Sequence, residues 1–483
     1  MRAGSRQIEV ADVGDFQVGQ QVIVLRAFSH YEKLRLWGPD AARPAPPNHA
    51  VEMRGYDGSS GSWTVFLLEV APGRPETFRW TDDIGRTWHE AQPITDEDGW
   101  VPLSGGTEVK FHRREFDGAY LISFSARDSL VTFIEAMDGN TLSLHNAANR
   151  DADDAVVRHC DSAALQAAID AALRNHKHLY VPRGHYRLAK GLEVRSPEGL
   201  VIEGQNAVDT ILDISDAEGA CFAVRDGREF TLRNFTMIGH SGFANRDQCG
   251  ALRTRGVRSM WGMYLKDCNA VVIRNTERML VENCHARRMA TEAFYAQGRW
   301  RRGTRPEPQQ YQKQLMFLRC SAIDCGRNGF NNNDLAENTS ILHCRIVDVG
   351  GCAWEGASRF VRFMHNCVRN AGTVAMGNIG SRAETLEELG SGQHIVANNV
   401  FEASTPYGGA AAGVKHAIEL RGDFDVMGNR LFGFGEPGCT AIGLYPDRAE
   451  RKLRLILRGN IFERCARPMD DSEAPESGAA TST

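Results

Sequence analysis

Nowhere does the sequence hold the roughly 20 consecutive apolar residues that a membrane-spanning helix needs. The first ten residues, MRAGSRQIEV, lack the apolar core of an export signal. Charge of one sign is not in excess either. Lys and Arg number 56 against 61 Asp and Glu, a formal net charge of −5, which argues against a nucleic-acid binder driven by net charge. No cysteine precedes Cys160 among the twelve, and at this length a disulfide scaffold is not expected. No Cys/His spacing suits zinc and no glycine-rich loop suits phosphate. What remains is 483 residues of ordinary apolar content, enough for two or three domains or for one repeat array with an added module.

The repeat is there. ENCHARRMATEAFYA from Glu282, LRCSAIDCGRNGFNN from Leu318, LHCRIVDVGGCAWEG from Leu342, MHNCVRNAGTVAMGN from Met364, MGNRLFGFGEPGCTAIG from Met427 and the shorter RGNIFERC from Arg458 can be written under one another. Each carries Cys, Asn or Gly at one position, apolar residues two or three places later, then a small-residue turn. The markers are Cys284, Cys320, Cys344, Asn366, Asn398, Asn429 and Gly459, with a shortest spacing of 22 residues. A short unit with variable insertions fits a β-solenoid, in which each coil adds one layer and insertions become loops. Helical repeats fit poorly, because the segments are short, β-branched or aromatic, and broken by Gly and Asn. Asn suits the bend because it tolerates left-handed backbone and its amide can bond along the stack; buried Cys serves as a small apolar filler.

The segment DSAALQAAIDAALRNHKHLYVPRGHYRL, from Asp161, resembles the opening of right-handed parallel β-helix proteins of the pectate-lyase-like superfamily. The resemblance covers roughly residues 160–466 and implies an amphipathic capping helix, then a strand and a Pro-x-Gly-x-Tyr turn into the first coil. Leu165, Ala168, Ile169, Ala172 and Leu173 give that helix one apolar stripe, and Asp161 or Ser162 is a suitable N-cap. The fold class is therefore all-β: a right-handed single-stranded parallel β-helix with an N-terminal capping helix, preceded by a small β-sandwich-like domain.

Residues 1–150 read as that accessory module. Two strands flank a Val-Gly turn in residues 6–25, and the Asp138-Gly139-Asn140 signal closes a hairpin. Thr81-x-Asp83-x-Gly85-x-Thr87-Trp88 resembles the Asp-box, a structural hairpin whose Asp ties its own turn. Trp80, Trp88 and Trp100 are expected in the core. Residues 39–48 read as a loop, residues 299–313 as a basic insertion and residues 467–483 as a disordered tail.

Alignment of the repeats puts Phe294, Phe330, Trp354, Met376, Ile418 and Ile442 in one register, an inward stack. Side chains alternate across a strand, so Tyr295, Asn331, Glu355, Gly377, Glu419 and Gly443 point outward. Glu355 and Glu419 then stand two coils apart over Gly377, with backbones about 10 Å apart, close enough to hold a water between carboxyls as inverting glycoside hydrolysis requires. Asp334, in a loop FNNNDLAEN, is a third candidate acid. Tyr295, Asn331, Arg359, Arg382, Lys415, His416 and Arg421 are candidate substrate-binding residues, and the cations suit an acidic polysaccharide. His343 and His365 align at a corner.

Three functions suit such a face. The first is carboxylate general acid/base hydrolysis by Glu355, Glu419 and Asp334 with no cofactor; the hydrolase signatures Asn-x-Asp and Asp-Asp of the resembling family are absent, so these roles rest on the ladder alone. The second is β-elimination on a uronate with Arg359, Lys415 or Arg421 as base and calcium at Asp334, Glu337 and Glu355; epimerisation begins with the same proton abstraction. The third is a non-catalytic, tailspike-like carbohydrate binder. The expected partner is a polysaccharide or oligosaccharide, with no nucleic acid, no membrane and a possible homo-oligomer. The expected location is secreted or periplasmic, as a mature or trimmed form.

Overall fold

The computed structural model describes residues 1–37, 51–83, 87–94, 99–112, 115–116, 118–217, 219–240, 268–298, 312–371, 376–377, 394–403, 416–420, 423–435, 439–444 and 454–470. The chain folds as two units, the first chiefly Met1–Ala163 and the second chiefly the residues that follow.

The first unit is antiparallel. One sheet runs Gln7–Glu9, Thr141–Leu144, Leu130–Asp138, Gln21–Leu25, Val156–His159, a second His30–Trp37, Tyr120–Arg127, Trp63–Val70, Thr77–Thr81, His89–Pro93, and a third Val51–Arg54, Glu108–Phe111, Val101–Pro102. The second and third share a core of Val51, Tyr56, Phe66, Phe78, Trp80, Val109 and Phe124, which makes them a small sandwich. The first sheet has its own core of Ile8, Val22, Val24, Leu130, Ile134 and Leu142. Antiparallel pairing continues past residue 150, because Val156–His159 joins Gln21–Leu25. The hairpin at Gly139 forms, with Asp138 paired to Thr141 and Gly139 at φ 54°. The Asp83 carboxylate accepts the Thr87 N–H at 2.9 and 3.0 Å and the Thr81 hydroxyl at 2.7 Å, so it does tie its own turn. Of the three tryptophans only Trp80 is core. Trp88 and Trp100 are half-buried, each beneath a guanidinium (Arg79 at 5.6 Å, Arg54 at 4.1 Å), which satisfies an aromatic face without burying it.

The second unit opens with the helix Ser162–Arg174, whose stripe is buried at Ile169 and Ala172 and half-buried at Leu165, Ala168 and Leu173. Asp161 accepts the Arg187 N–H at 2.8 Å and Ser162 Oγ the Ala189 N–H at 2.9 Å, while Gln21 Oε1 meets the Ala163 N–H at 3.3 Å. Tyr186 folds back to donate to Pro182 O at 3.0 Å across Gly184, where a Cβ would stand 3.1 Å from its ring.

From Leu179 on, the strands form one continuous parallel sheet that curls into a β-helix, as expected. Strands pair in parallel with the next coil: Arg345–Val349 with Cys367–Ala371, and that with Val400–Glu402. At one corner a left-handed residue recurs, Asn234, Asn283, Arg319, His343, His365, Asn398, Gly428 and Gly459, with φ between 50° and 67°. The residue after it points inward. There Asn366, Asn399, Asn429 and Asn460 form a ladder in which each side-chain oxygen accepts the backbone N–H one coil earlier, at 2.8 to 3.0 Å. Cys284, Cys320 and Cys344 continue it upstream, each thiol facing a backbone carbonyl. The repeat alignment is thus one residue off at two coils: Asn399 and Asn460, not Asn398 and Gly459, occupy the marker position. The eleven described cysteines are free, and burial pushes the Cys284 and Cys325 thiols up to about 12.

The inward stack is in the expected register. Phe294 pairs with Phe330, Phe330 with Trp354, Trp354 with Met376, Met376 with Ile418 and Ile418 with Ile442. Phe294 and Phe330 stack at 4.9 Å and 12°. Each such aromatic contributes about 1.5–3 kcal/mol by leaving water.

Candidate functional site

The outward ladder follows from that register. Tyr295, Asn331, Glu355, Gly377, Glu419 and Gly443 are successive strand partners on one face. The surroundings of Glu355 differ from expectation. It is only 9% exposed and Asn331 is fully buried, rather than open to a ligand. The cause lies in the turns that enter this face, which carry long polar side chains beside the strand. Asn328 and Arg327 reach Glu355 Oε2, the latter at 3.4 Å, and Asn331 Nδ2 donates to the same oxygen at 3.1 Å. Glu292, 3% exposed, pairs with the other arm of Arg327 and accepts from Asn331 Nδ2 at 3.4 Å. Three successive coils therefore assemble two carboxylates around one guanidinium. All the described contacts of Glu355 fall on Oε2 and come from N–H donors, which leaves Oε1 outside them. Asn331 Oδ1 is buried without a partner.

Glu292, Arg327 and Asn328 do not stand out in the repeat alignment. The signal is nevertheless present: Glu292 and Asn328 each stand two residues before an inward phenylalanine, and Arg327 three before.

The other candidates distribute as follows. Tyr295 is half-buried and donates to Gln297 Oε1 at 2.8 Å. Asp334 lies not in a loop but within the strand Phe330–Leu342, at a register shift between Asn332 and Ala336, because Ala336 resumes pairing with the next coil. Glu419 and His416 lie on His416–Leu420, opposite Gly443 and Thr440. Arg382, Lys415 and Arg421 lie outside the described residues, as do most of the 299–313 insertion, the 39–48 loop and the tail beyond residue 470. His343 and His365 are exposed and stack at 4.9 Å and 6° at their corner.

Glu337 has a different setting. Glu198, Arg228, Glu277, Lys313, Glu337 and Arg359 are successive strand partners, so charge alternates at every step of this ladder. Glu337 thus stands between two cationic positions, Lys313 and Arg359, in the register. Among the described residues no group of three or more His, Cys, Asp and Glu is placed to hold a metal. A groove of about 350 Å³ opens over the same corner, lined by Ser196, Asp226, Asn275, Glu277 and Lys313 among others, and does not include Glu355.

No protein-family model matches the chain, and no curated protein does. Solved structures do. The A-module of a mannuronan C-5 epimerase from Azotobacter vinelandii shares 13% identity over 65% of this chain and 94% of that one, with a TM-score of 0.35. The catalytic unit of a thermostable GH87 α-1,3-glucanase from Streptomyces thermodiastaticus shares 11% over 92% and 97%, at 0.35. A surface adhesin of Streptococcus pneumoniae shares 11% over 67% and 93%, at 0.34. The structural neighbours thus include carbohydrate-active enzymes and an adhesin.

Proposed function

We propose that the chain is a carbohydrate-active enzyme that hydrolyses glycosidic bonds of an acidic polysaccharide on the face carrying Glu355. The observation that carries this reading is the register line Glu355, Gly377, Glu419. Two acids stand on one ladder with no side chain between them, and two coil rises of about 4.8 Å separate their backbones. Carboxyls about 6.5–9.5 Å apart leave space for a water. Glu355 takes the base role: Oε2 is held by N–H donors of Arg327, Asn328 and Asn331, and Oε1 is the atom left to orient water. Glu419 takes the acid role, and Asp334 is the alternative base.

The test is a panel of acidic polysaccharides. Hydrolysis yields new reducing ends without near-ultraviolet absorbance, and Glu355→Gln is expected to lower turnover about 10²–10⁴-fold. Products that absorb as unsaturated uronates would assign elimination instead. Carbohydrate retention without turnover, unaffected by Glu355→Gln, would assign a binder.

A further inference from the structure

Upstream on the same face, three arginines occupy one register. Arg195 pairs with Arg225 and Arg225 with Arg274, and the line continues through Gln297 to Asn333. Strand neighbours lie about 4.8 Å apart, so three like charges are held at a spacing where they repel. Contrast the neighbouring corner, where the chain alternates Glu198, Arg228, Glu277 and Lys313. The arginine row is not neutralised in that way. Glu193 pairs with Arg195 at 2.7 Å and reaches Arg225 only at 3.8 Å. Arg225 Nε is buried without a hydrogen-bond partner, and Arg274 is exposed with no ion pair among the described residues. Beside the row runs a second register that starts at Glu193, passes Ala223 and the buried Val272, and reaches the aromatic ring of Tyr295 before Asn331 and Glu355.

We propose that Arg195, Arg225 and Arg274 form a binding rail for a linear polyanionic polysaccharide, whose carboxylates or sulfates meet successive guanidinium groups while its sugar faces lie along Ala223 and Tyr295. The inference rests on the reading of Glu355 as the reacting site and names its substrate class. A guanidinium fork matches carboxylate and sulfate oxygens in pairs. A coil rise of about 4.8 Å is close to the length of one sugar unit, so one charge per sugar can meet one arginine per coil. Arg274 lies three coil rises, about 14 Å, before the coil of Glu355. A single polymer can therefore occupy both, and the rail holds units that are not themselves cut. Polysaccharide is favoured over nucleic acid because the chain carries a formal charge of −5 and the rail is narrow, bordered by Glu193.

Binding is measured apart from turnover, by retardation of the full chain in native gels containing polygalacturonate, chondroitin sulfate, neutral dextran or single-stranded DNA. The wild-type chain is expected to be retarded by at least one of the two anionic polysaccharides and not by dextran, with retardation falling as salt rises. Arg274→Gln, and more so Arg225→Gln with Arg274→Gln, is expected to weaken it at least about tenfold, with melting unchanged for Arg274→Gln because that side chain is exposed. Equal retardation of the double variant, retardation by dextran, tighter binding to DNA, or no retardation by either polyanion overturns the proposal. The Glu355→Gln assay reads turnover alone, so either reading can fail by itself.

Discussion

Glu292 and Glu355 stand on coils two apart, yet converge on the two arms of one guanidinium, Arg327, and on one amide nitrogen, Asn331 Nδ2 at 3.4 and 3.1 Å. Both carboxylates are buried. Removing their shared cation leaves two buried carboxylates without it, Glu355 keeping the amide donors of Asn328 and Asn331.

Arg327→Met is therefore expected to destabilise the chain by about 3–5 kcal/mol, the range for breaking a buried pair from one side. Arg327→Lys should restore only part, because an ammonium is a point charge and cannot address two carboxylates with separate arms. Urea unfolding of the three proteins checks this. Equal stability of the methionine variant would mean that the carboxylates are served by other groups.

The asparagine ladder supports the face from the opposite corner. Asn429 donates to Val396 O at 2.8 Å and Asn460 Oδ1 at 3.0 Å, and accepts from Asn399 N and Nδ2. Asn429→Ala orphans these buried groups and is expected to cost roughly 1–3 kcal/mol. Asn429→Cys should be milder, since Cys320 and Cys344 already hold this position with thiols facing carbonyls. Thermal melting ranks the two.

The coils and the stack are legible in the sequence because inward positions demand apolar volume at a fixed interval. Phe294, Phe330 and Trp354 declare their register, and Glu355 inherits its direction from Trp354. Its burial is not legible in this way. That depends on Arg327 and Asn328, turn residues of a neighbouring coil, and turns carry no periodic pattern. Asp334 misleads for a related reason: FNNND looks like a loop by composition, yet asparagines such as Asn331 and Asn332 are strand residues here, buried because each finds a hydrogen-bond partner. The two misaligned markers, Asn398 and Gly459, are the left-handed residues of the bend, adjacent to the true ladder and chemically like it.

His394 gives the solenoid a pH dependence. It is 3% exposed, stacks on Phe424 at 4.6 Å and accepts the Val361 N–H at 3.3 Å. Burial draws it down from 6.5 to about 4, against an opposing pull from Asp423. The unfolded chain thus takes up this proton at higher pH than the native one. The neutral ring's contribution is complete above pH 6.5 and is lost as pH falls from 6.5 towards 4. Denaturant titrations across that window should show a shallower slope for His394→Phe than for wild type, whatever the offset from the orphaned Val361 N–H. An unchanged slope would assign the loss to other groups.

Gly356 follows Glu355 and lies inward beside Trp354. A Cβ there would stand 2.8 Å from Cε2 of the indole and nearer still to its outer ring. The indole cannot yield freely, because it is fully buried and its Nε1 donates to Asn332 Oδ1 at 3.1 Å. Gly356→Ala is therefore expected to cost about 1–3 kcal/mol by overpacking. It should also lower turnover, since Trp354, Glu355 and Gly356 share one short stretch of strand. Trp354→Phe removes the clashing ring, so the double variant should be more stable than the sum of the two single losses predicts. Strict additivity of the two changes would show that the glycine is required for something other than room for the indole.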